Sequence, residues 1–113
     1  MPPESDIIRI RHMVEAAQSA LTFAAGRSRQ DLDTDRMLLM AILRAVEIVG
    51  EAAISVTVDT RELLPDIPWT SIIGMRHRLV HAYFDIDAAV VWATVREDLE
   101  PLVVRLTTWL EAQ

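Results

Sequence analysis

The sequence predicts an all-α fold, an up-and-down bundle of four long helices plus a short connecting helix. The composition is 51% hydrophobic but only 5% aromatic, so the core must be built from Ala, Leu, Ile, Val and Met, which favours helices over strands. Apolar residues recur at helical spacing over most of the chain. The strand-like run Val56-Thr57-Val58 has no partner run elsewhere, and we interpret it as a fraying helix end. A length of 113 residues is typical of one domain, so we expect a single domain over 1–113.

The first predicted helix begins near its N-terminal polar residues, where Ser5 or Asp6 provides a side-chain oxygen that can cap the first turn. Apolar residues then follow at helical spacing as far as Ala24. We expect Gly26 to end the helix in the left-handed conformation, which glycine adopts without strain. A polar loop over 27–33 should follow.

The second predicted helix begins at a cap formed by Asp33 or Thr34 and runs to about Val56. Apolar side chains cover more than half of its circumference, which indicates a helix packed on several sides. Gly50 lies in its middle, where glycine costs about 1 kcal/mol relative to alanine. We therefore expect a neighbouring backbone to approach closely at Gly50.

A rigid connector precedes the helix that carries the candidate site. One helical turn is predicted over 59–64, with Asp59 as its cap. The run Pro-Asp-Ile-Pro-Trp follows at 65–69, and Pro68 is placed to start the next helix because its ring fixes φ near the helical value. That helix is predicted over 69–81.

The last predicted helix begins at a cap formed by Asp85 or Asp87 and runs to about Leu110. Its apolar stripe keeps the same phase on both sides of Pro101. We therefore expect Pro101 to kink this helix without ending it.

Charge and cysteine content limit the class of protein. A net charge of −6 repels phosphate backbones, so any contact with RNA should be local. The absence of cysteine excludes disulfide scaffolds and cysteine-based zinc sites. No apolar run approaches the roughly 18 residues of a membrane span, and the first residues lack the basic and apolar regions of a signal peptide. We expect a cytoplasmic protein with no membrane association.

Arg76 breaks the pattern of an ordinary bundle. At about 100° per residue, it lies in the middle of the apolar stripe of its own helix. The neighbours on that stripe are Ile72, Ile73, Leu79, Val80 and Tyr83. A guanidinium stays charged, so its burial without a partner would be very costly. Two interpretations remain open: a structural arginine paired with a core carboxylate, or a stripe that lines an interface or a cleft.

Two histidines follow Arg76 on the same predicted helix. His77 and His81 have the i, i+4 spacing of a shared metal site, but no third ligand is nearby, and a packed or surface histidine is the simpler interpretation. His81 lies about 140° from Arg76 around an unbroken helix. Both side chains can address one substrate atom only if the helix ends near His81 or a second copy of the chain contributes.

The combination of Arg76, His81 and Tyr83 suits chemistry on RNA. An imidazole titrates near neutrality and can move a proton. A guanidinium binds two oxygens of a phosphate while charge develops on it. RNA carries its own nucleophile, the ribose 2′-hydroxyl, so a ribonuclease built on these residues needs no metal.

The same residues resemble a known family. Arg76-x4-His81-x-Tyr83 is similar to the Arg-x4-6-His motif of HEPN ribonucleases, and the added tyrosine is similar to the HepT-type toxins of HepT/MNT toxin–antitoxin systems. The run Arg-Ala-Val-Glu-Ile-Val-Gly-Glu-Ala at 44–52 resembles the second-helix signature of that family. The stretches 65–69 and 74–76 resemble its connector and its active helix. The resemblance covers essentially the whole chain.

This resemblance implies a HEPN-like bundle that acts as an RNA-cleaving toxin. It implies a homodimer, with the paired motifs in a cleft between subunits. The partner would be a minimal nucleotidyltransferase (MNT) antitoxin that transfers AMP from ATP onto the motif tyrosine, while the toxin itself needs no cofactor. Carried over by position, Arg76 would stabilise the scissile phosphate and His81 would be the acid or base, with His77 in support. Tyr83 would be the residue that receives AMP.

Two positions depart from the family pattern. His77 stands where close relatives have asparagine, although the wider superfamily accepts a polar residue there, and Ala82 stands where glycine usually precedes the tyrosine. The alternative function is a non-catalytic HEPN module that binds nucleotide or escorts the nucleotidyltransferase. Retention of both Arg76 and His81 favours the enzyme, and His77 favours the module.

Glu47 and Glu51 lie one turn apart on the polar strip of the second helix. Paired carboxylates of this kind could bind a metal, but a solvated strip with Arg44 alongside is the simpler interpretation. They could also meet Arg76 or contact a partner subunit.

Overall fold

The structure, a computed structural model, describes residues 1–81 and 86–113, and those residues contain no strand. The helices are α1 (Glu4–Ala24), α2 (Asp31–Thr34), α3 (Arg36–Ile54), α4 (Val58–Glu62), α5 (Trp69–His81), α6 (Ala88–Ala93) and α7 (Leu99–Glu111). A π-helical turn over Thr94–Asp98 joins α6 to α7, so that they form one long C-terminal helix. The predicted all-α fold with four long helical segments is confirmed for the described part of the chain.

The core is centred on α1 and α3, which pack extensively against each other. The other face of α3 packs on α5, and the other face of α1 packs on α7. The largest fully buried side chains include Ile10, Met13, Ile42 and Leu106. The prediction that the second helix is packed on several sides is therefore confirmed. Within the described ranges, every helix is too short or too polar to cross a membrane.

The start of α1 differs from the prediction. No side chain caps it, and the carbonyl of Pro3 accepts a hydrogen bond from the backbone N–H of Asp6 at 3.0 Å. The carboxylate of Asp6 is buried and accepts hydrogen bonds from the N–H of Thr57 at 3.1 Å, the Thr57 hydroxyl at 2.5 Å and the Thr60 hydroxyl at 2.6 Å. The predicted cap at Ser5 or Asp6 is wrong, because Asp6 binds the start of α4 instead.

The link between α1 and α3 is more ordered than predicted. Gly26 has a φ of +72°, the left-handed conformation expected for it. The segment 27–33, predicted to be a loop, contains the first residues of α2. The side chain of Asp35 caps α3 by accepting a hydrogen bond at 3.1 Å from a backbone N–H of the first turn. The predicted cap at Asp33 or Thr34 is wrong, because both residues lie inside α2.

The short connecting helix begins earlier than predicted. α3 ends at Ile54, and Val58 is the first residue of α4, not part of a fraying end of α3. Asp59 lies within α4, and Thr57 occupies the preceding position. The position of α4 is therefore set by the tertiary contact with Asp6 and not by a local cap at Asp59.

The connector fixes the start of α5. The indole N–H of Trp69 donates to the carbonyl of Leu64 at 3.0 Å, and the guanidinium of Arg61 lies 5.9 Å from the centre of the same ring. The carbonyl of Pro68 accepts a hydrogen bond from the N–H of Ile72 at 3.0 Å, which begins the helix as predicted. α5 then covers the predicted range 69–81.

The C-terminal helix continues past Pro101, as predicted. Asp87 caps it, accepting hydrogen bonds from two backbone N–H groups at 2.9 and 3.4 Å, and the alternative cap Asp85 lies outside the described residues. Pro101 has no N–H to bond the carbonyl of Glu97, and its ring disfavours the regular α-helical geometry there. The π-helical turn over 94–98 lies just before this position, which is where the ladder of hydrogen bonds is interrupted.

Candidate active site

Arg76 of α5 and Gly50 of α3 are in very close contact. A Cβ atom at residue 50 would overlap the Cβ of Arg76 and lie only 2.6 Å from its Cγ. Glycine is the residue that leaves room for this approach. The predicted close approach at Gly50 is confirmed, and the neighbour is the arginine that the sequence pattern singled out.

The guanidinium of Arg76 lies at the edge of the contact between α3 and α5. Its Nη2 is 3.6 Å from Oε1 of Glu51. Its Nε is buried and has no hydrogen-bond acceptor among the described residues. The Arg76 side chain as a whole is 28% exposed, and that of Glu51 is 44% exposed. The arginine thus combines both interpretations of the sequence, because its stem is buried while its outer nitrogens reach the surface beside a carboxylate.

A chain of alternating charges runs along α3 beside Arg76. Nη1 of Arg44 lies 3.3 Å from Glu47 and 3.8 Å from Glu51. Glu51 therefore lies between two guanidinium groups, and Arg44 is 61% exposed. This is the solvated acidic strip that the sequence predicts, with the additional contact to Arg76. Over the ranges 1–81 and 86–113, no group of three or more potential metal-ligating side chains occurs.

The remaining site residues lie beyond Arg76 along the chain. His77 is exposed on α5, and His81 is the last residue of α5 in the described range. At the rise of a regular helix, His81 lies about 7.5 Å further along the axis than Arg76. Tyr83 and its neighbour Ala82 lie outside the described residues. The catalytic, supporting and modification roles assigned to these residues stay predictions.

A groove of about 640 Å³ lies between α5 and the C-terminal helix. It is lined by apolar side chains such as Ile72, Met75 and Leu102 and by charged ones such as Arg78 and Glu97. It exists because α5 packs on α3 but makes few contacts with the C-terminal helix. This groove was not predicted from the sequence. The sequence feature that could have predicted it is the width of the apolar face of the helix over 69–81, which is more than one neighbouring helix covers.

One face of α3 remains on the surface, and its C-terminal end at Glu51 lies next to Arg76. This face, here called the α3 stripe, consists of Met37, Met40, Arg44, Glu47 and Glu51, which share one side of the helix at about 100° per residue. Met37 is 81% exposed and Met40 is 52% exposed. Met37 and Met40 are three residues apart, so their side chains are neighbours on the helix surface and form a small exposed apolar patch.

Known proteins resemble the chain over most of its length. The "Probable ribonuclease HepT" of Thermococcus cleftensis is 37% identical over 82% of this chain and 84% of its own length. A Methanocaldococcus jannaschii protein named as a "Putative RNase" is 34% identical over 77% of this chain and 80% of its own. A Caldanaerobacter subterraneus protein with the same type of name is 30% identical over 82% and 83% of the two chains. No solved structure matches the chain.

A model of one protein family, described as "Ribonuclease HepT-like", matches residues 13–108. The matched range begins within α1 and ends within α7, so it includes α3, the connector and α5, and with them Gly50 and Arg76. The chain therefore belongs to the HepT-like ribonuclease family.

Proposed function

We propose that this chain is a metal-independent endoribonuclease and the toxin of a type VII-like HEPN/MNT toxin–antitoxin system. Membership of the HepT-like ribonuclease family supports the nuclease role. The observation that carries the proposal is the geometry of Arg76. Its stem is held against Gly50, and its outer nitrogens reach the surface beside a single carboxylate. A guanidinium fixed in this way can bind two oxygens of a phosphate.

In the proposed reaction the ribose 2′-oxygen attacks the adjacent phosphorus of the RNA backbone. The proton of the 2′-hydroxyl passes to a general base, the bond to the 5′-oxygen breaks, and that oxygen takes up a proton from a general acid. The products are a 2′,3′-cyclic phosphate and a 5′-hydroxyl. Arg76 stabilises the charge on the phosphoryl oxygens, and His81 is the acid or the base, with His77 in a supporting role. No step in this scheme requires a metal ion.

The proposed toxin acts as a homodimer with its two motifs in one cleft. Exposed Met37 and Met40 support this, because they leave apolar side chains on the same face of α3 as Glu51, which lies near Arg76. A second copy would also bring a second His81 towards the first Arg76. It would thereby meet the geometric requirement that one unbroken helix cannot satisfy.

The proposed partner is a minimal nucleotidyltransferase antitoxin in the cytoplasm, which attaches AMP from ATP to Tyr83. A phosphate on this tyrosine adds negative charge and oxygens that a guanidinium can bind. Bound at Arg76, it would occupy the place of the RNA phosphate. Neutralisation would then require no change of fold.

Expression in bacteria tests the toxin assignment. Without the partner, the wild-type chain should slow growth, and Arg76→Ala or His81→Ala should abolish this effect. Loss of a group that stabilises developing charge typically lowers the rate by about 100- to 1,000-fold. Circular dichroism and thermal melting should show that both variants remain folded. If both folded variants stay toxic, the assignment of the site is wrong.

The alternative function is a non-catalytic HEPN module that binds nucleotide or escorts the nucleotidyltransferase. His77, exposed on α5 in place of the usual asparagine, is the feature that favours it. Purified wild-type chain incubated with total bacterial RNA in EDTA-containing buffer separates the two functions. Cleavage supports the enzyme, and the absence of cleavage together with binding of ATP or AMP supports the module.

Mass spectrometry tests the role of Tyr83. After co-expression with the nucleotidyltransferase, the intact mass should increase by one or more AMP units, and Tyr83→Phe should remove the increase. A toxin that is neutralised without any change in mass would mean inhibition by complex formation alone.

A further inference from the structure

We infer that Glu51 is a positioning residue that holds the Arg76 guanidinium in the orientation that accepts the scissile phosphate. Glu51 is not part of the motif formed by Arg76, His81 and Tyr83. Its role rests on the proposed ribonuclease function, because that function makes the orientation of Arg76 important. The inference comes from two contacts between α3 and the Arg76 side chain. Gly50 contacts the stem, and Glu51 lies near a terminal nitrogen.

The inner part of Arg76 has a fixed position. Its Cβ and Cγ lie in the space left by the missing side chain of Gly50. Its Nε is buried. Since the stem is fixed up to this point, the remaining freedom is rotation of the planar guanidinium about the Cδ–Nε bond, and a neighbouring charge can restrict that rotation.

The outer part of Arg76 faces Glu51. Nη2 lies 3.6 Å from Oε1 of Glu51, which is the residue directly after Gly50 in α3. Consecutive residues in one helix have a fixed relative position. The glycine that holds the stem and the residue whose carboxylate attracts the head therefore have fixed relative backbone positions.

The contact between Glu51 and Arg76 leaves the arginine available to a substrate. A distance of 3.6 Å is longer than a hydrogen bond between nitrogen and oxygen, which is typically about 2.7–3.2 Å. A guanidinium has several N–H donors, and this contact involves only one terminal nitrogen. Glu51 thus attracts the group without saturating it, and a phosphate can bind without displacing the carboxylate.

Arg44 limits the repulsion between Glu51 and a bound phosphate. It lies 3.8 Å from the other carboxylate oxygen of Glu51 and places a second positive charge beside it. Some repulsion between the carboxylate and the phosphate should remain. Removal of the Glu51 charge should therefore have separable effects: loss of positioning lowers kcat, while loss of repulsion lowers KM.

The kinetic test compares Glu51→Gln with Glu47→Gln in the full-length chain. Both changes remove one carboxylate charge from the α3 stripe, but Glu47 contacts Arg44 and not Arg76. The substrate is a mixed-sequence single-stranded RNA with a 5′ fluorophore, in buffer with EDTA. Glu51→Gln should lower kcat about tenfold, as expected for a misplaced catalytic group, with KM unchanged or lower. Glu47→Gln, compared at a concentration where light scattering gives the wild-type mass, should leave kcat unchanged, and Glu51→Asp should recover part of the lost rate. An unchanged kcat in Glu51→Gln, with only KM lowered, would overturn the positioning role.

A second measurement does not depend on catalysis. The Nε–Hε resonance of Arg76 in ¹⁵N NMR spectra, assigned by its loss in Arg76→Lys, reports the mobility of the side chain. Its order parameter should fall in Glu51→Gln and stay the same in Glu47→Gln. If the wild-type chain cleaves no RNA, the proposed function fails, yet this measurement still decides whether Glu51 holds Arg76. An Arg76 side chain that is equally rigid in Glu51→Gln would overturn the inference.

Discussion

Two glycines on the helices that meet at Arg76 have opposite surroundings. A Cβ atom at Gly50 would overlap Arg76, whereas a Cβ atom at Gly74 would have no neighbour within 4 Å. Gly50→Ala should lower the free energy of unfolding by about 1–3 kcal/mol, as overpacking of a helix contact does. Gly74→Ala should raise it by about 0.5–1 kcal/mol, because alanine is favoured in a helix interior. Urea unfolding of both variants measures these changes.

The two glycine variants should also differ in activity. Gly50→Ala displaces the stem of Arg76 and should reduce RNA cleavage even in the folded fraction. Gly74→Ala should leave the position of Arg76 unchanged. Equal stability of the two variants would show that the approach of α5 to α3 is looser than the structure indicates.

Asp6 gives the stability of the protein a dependence on pH. Its burial by itself raises the pKa, but hydrogen bonds from Thr57 and Thr60 and the charge of Arg61 outweigh this effect, so the pKa lies below its usual value of 3.8. A carboxylate with a lowered pKa stabilises the fold above its ordinary pKa, and this contribution is lost as the pH falls through the lowered value. The stability of the wild type should therefore decrease as the pH is lowered through and below 3.8.

The variant Asp6→Asn tests this dependence. At pH 7 it should lower the free energy of unfolding by about 2 kcal/mol, since it weakens hydrogen bonds to a buried charge. The difference from the wild type should shrink as the pH falls below about 4. The control Asp59→Asn, at an exposed position of α4, should have little effect at pH 7. A constant difference between wild type and Asp6→Asn over the whole pH range would contradict the assignment.

At the scale of the helices, the start of α3 depends on one cap. Asp35 accepts a hydrogen bond from the first turn of α3 and pairs with Arg27 at 2.8 Å. Asp35→Ala should lower the free energy of unfolding by about 1 kcal/mol, the usual effect of removing a cap. Asp33→Ala removes only an exposed pair with Arg29, and such pairs contribute about 0–1 kcal/mol. Thermal melting that ranks Asp33→Ala as the more harmful variant would contradict the role of Asp35.

The helices were predictable from the sequence where local signals define them. The bounds of α5 follow from Pro68 and from an apolar stripe, both of which are local. The start of α1 was not predictable, because the carboxylate of Asp6 binds Thr57 and Thr60, which lie far along the chain. The π-helical turn at 94–98 was also missed, because periodicity shows that a helix continues but not which hydrogen bonds it forms.

The candidate site was likewise predictable only where local sequence features mark it. Gly50 and Arg76 each violated a local preference, one as a glycine inside a helix and one as a charge inside an apolar stripe, and the structure brings the two together. The contact between Glu51 and Arg76 remained one of several possibilities, because its selection requires the relative rotation of α3 and α5. The groove exists because α5 makes few contacts with the C-terminal helix. A local sequence pattern does not show which helices contact each other in the fold.

At the scale of the whole molecule, the proposed function requires a dimer. Light scattering at micromolar concentration should give twice the chain mass of 12.7 kDa. Met40→Glu places a charge among the exposed apolar side chains of the α3 stripe and should shift the mass towards the monomer. Val104→Glu, at a 61% exposed position of α7, should leave the dimer intact. A monomeric wild-type chain would count against a cleft shared by two subunits.

The contact between Gly50 and Arg76 also limits how α5 can move. A slide by one helical turn, about 5.4 Å, would place Val46 or Ile54 opposite Arg76, where their side chains have no room. Translation of α5 along α3 is therefore blocked, so a movement of α5 that keeps this contact would have to be a swing about it. Such a swing displaces the end near His81 more than it displaces Arg76. In the proposed dimer, such a swing would therefore change the position of each subunit's His81 relative to Arg76 of the other subunit, while Arg76 itself stays against Gly50.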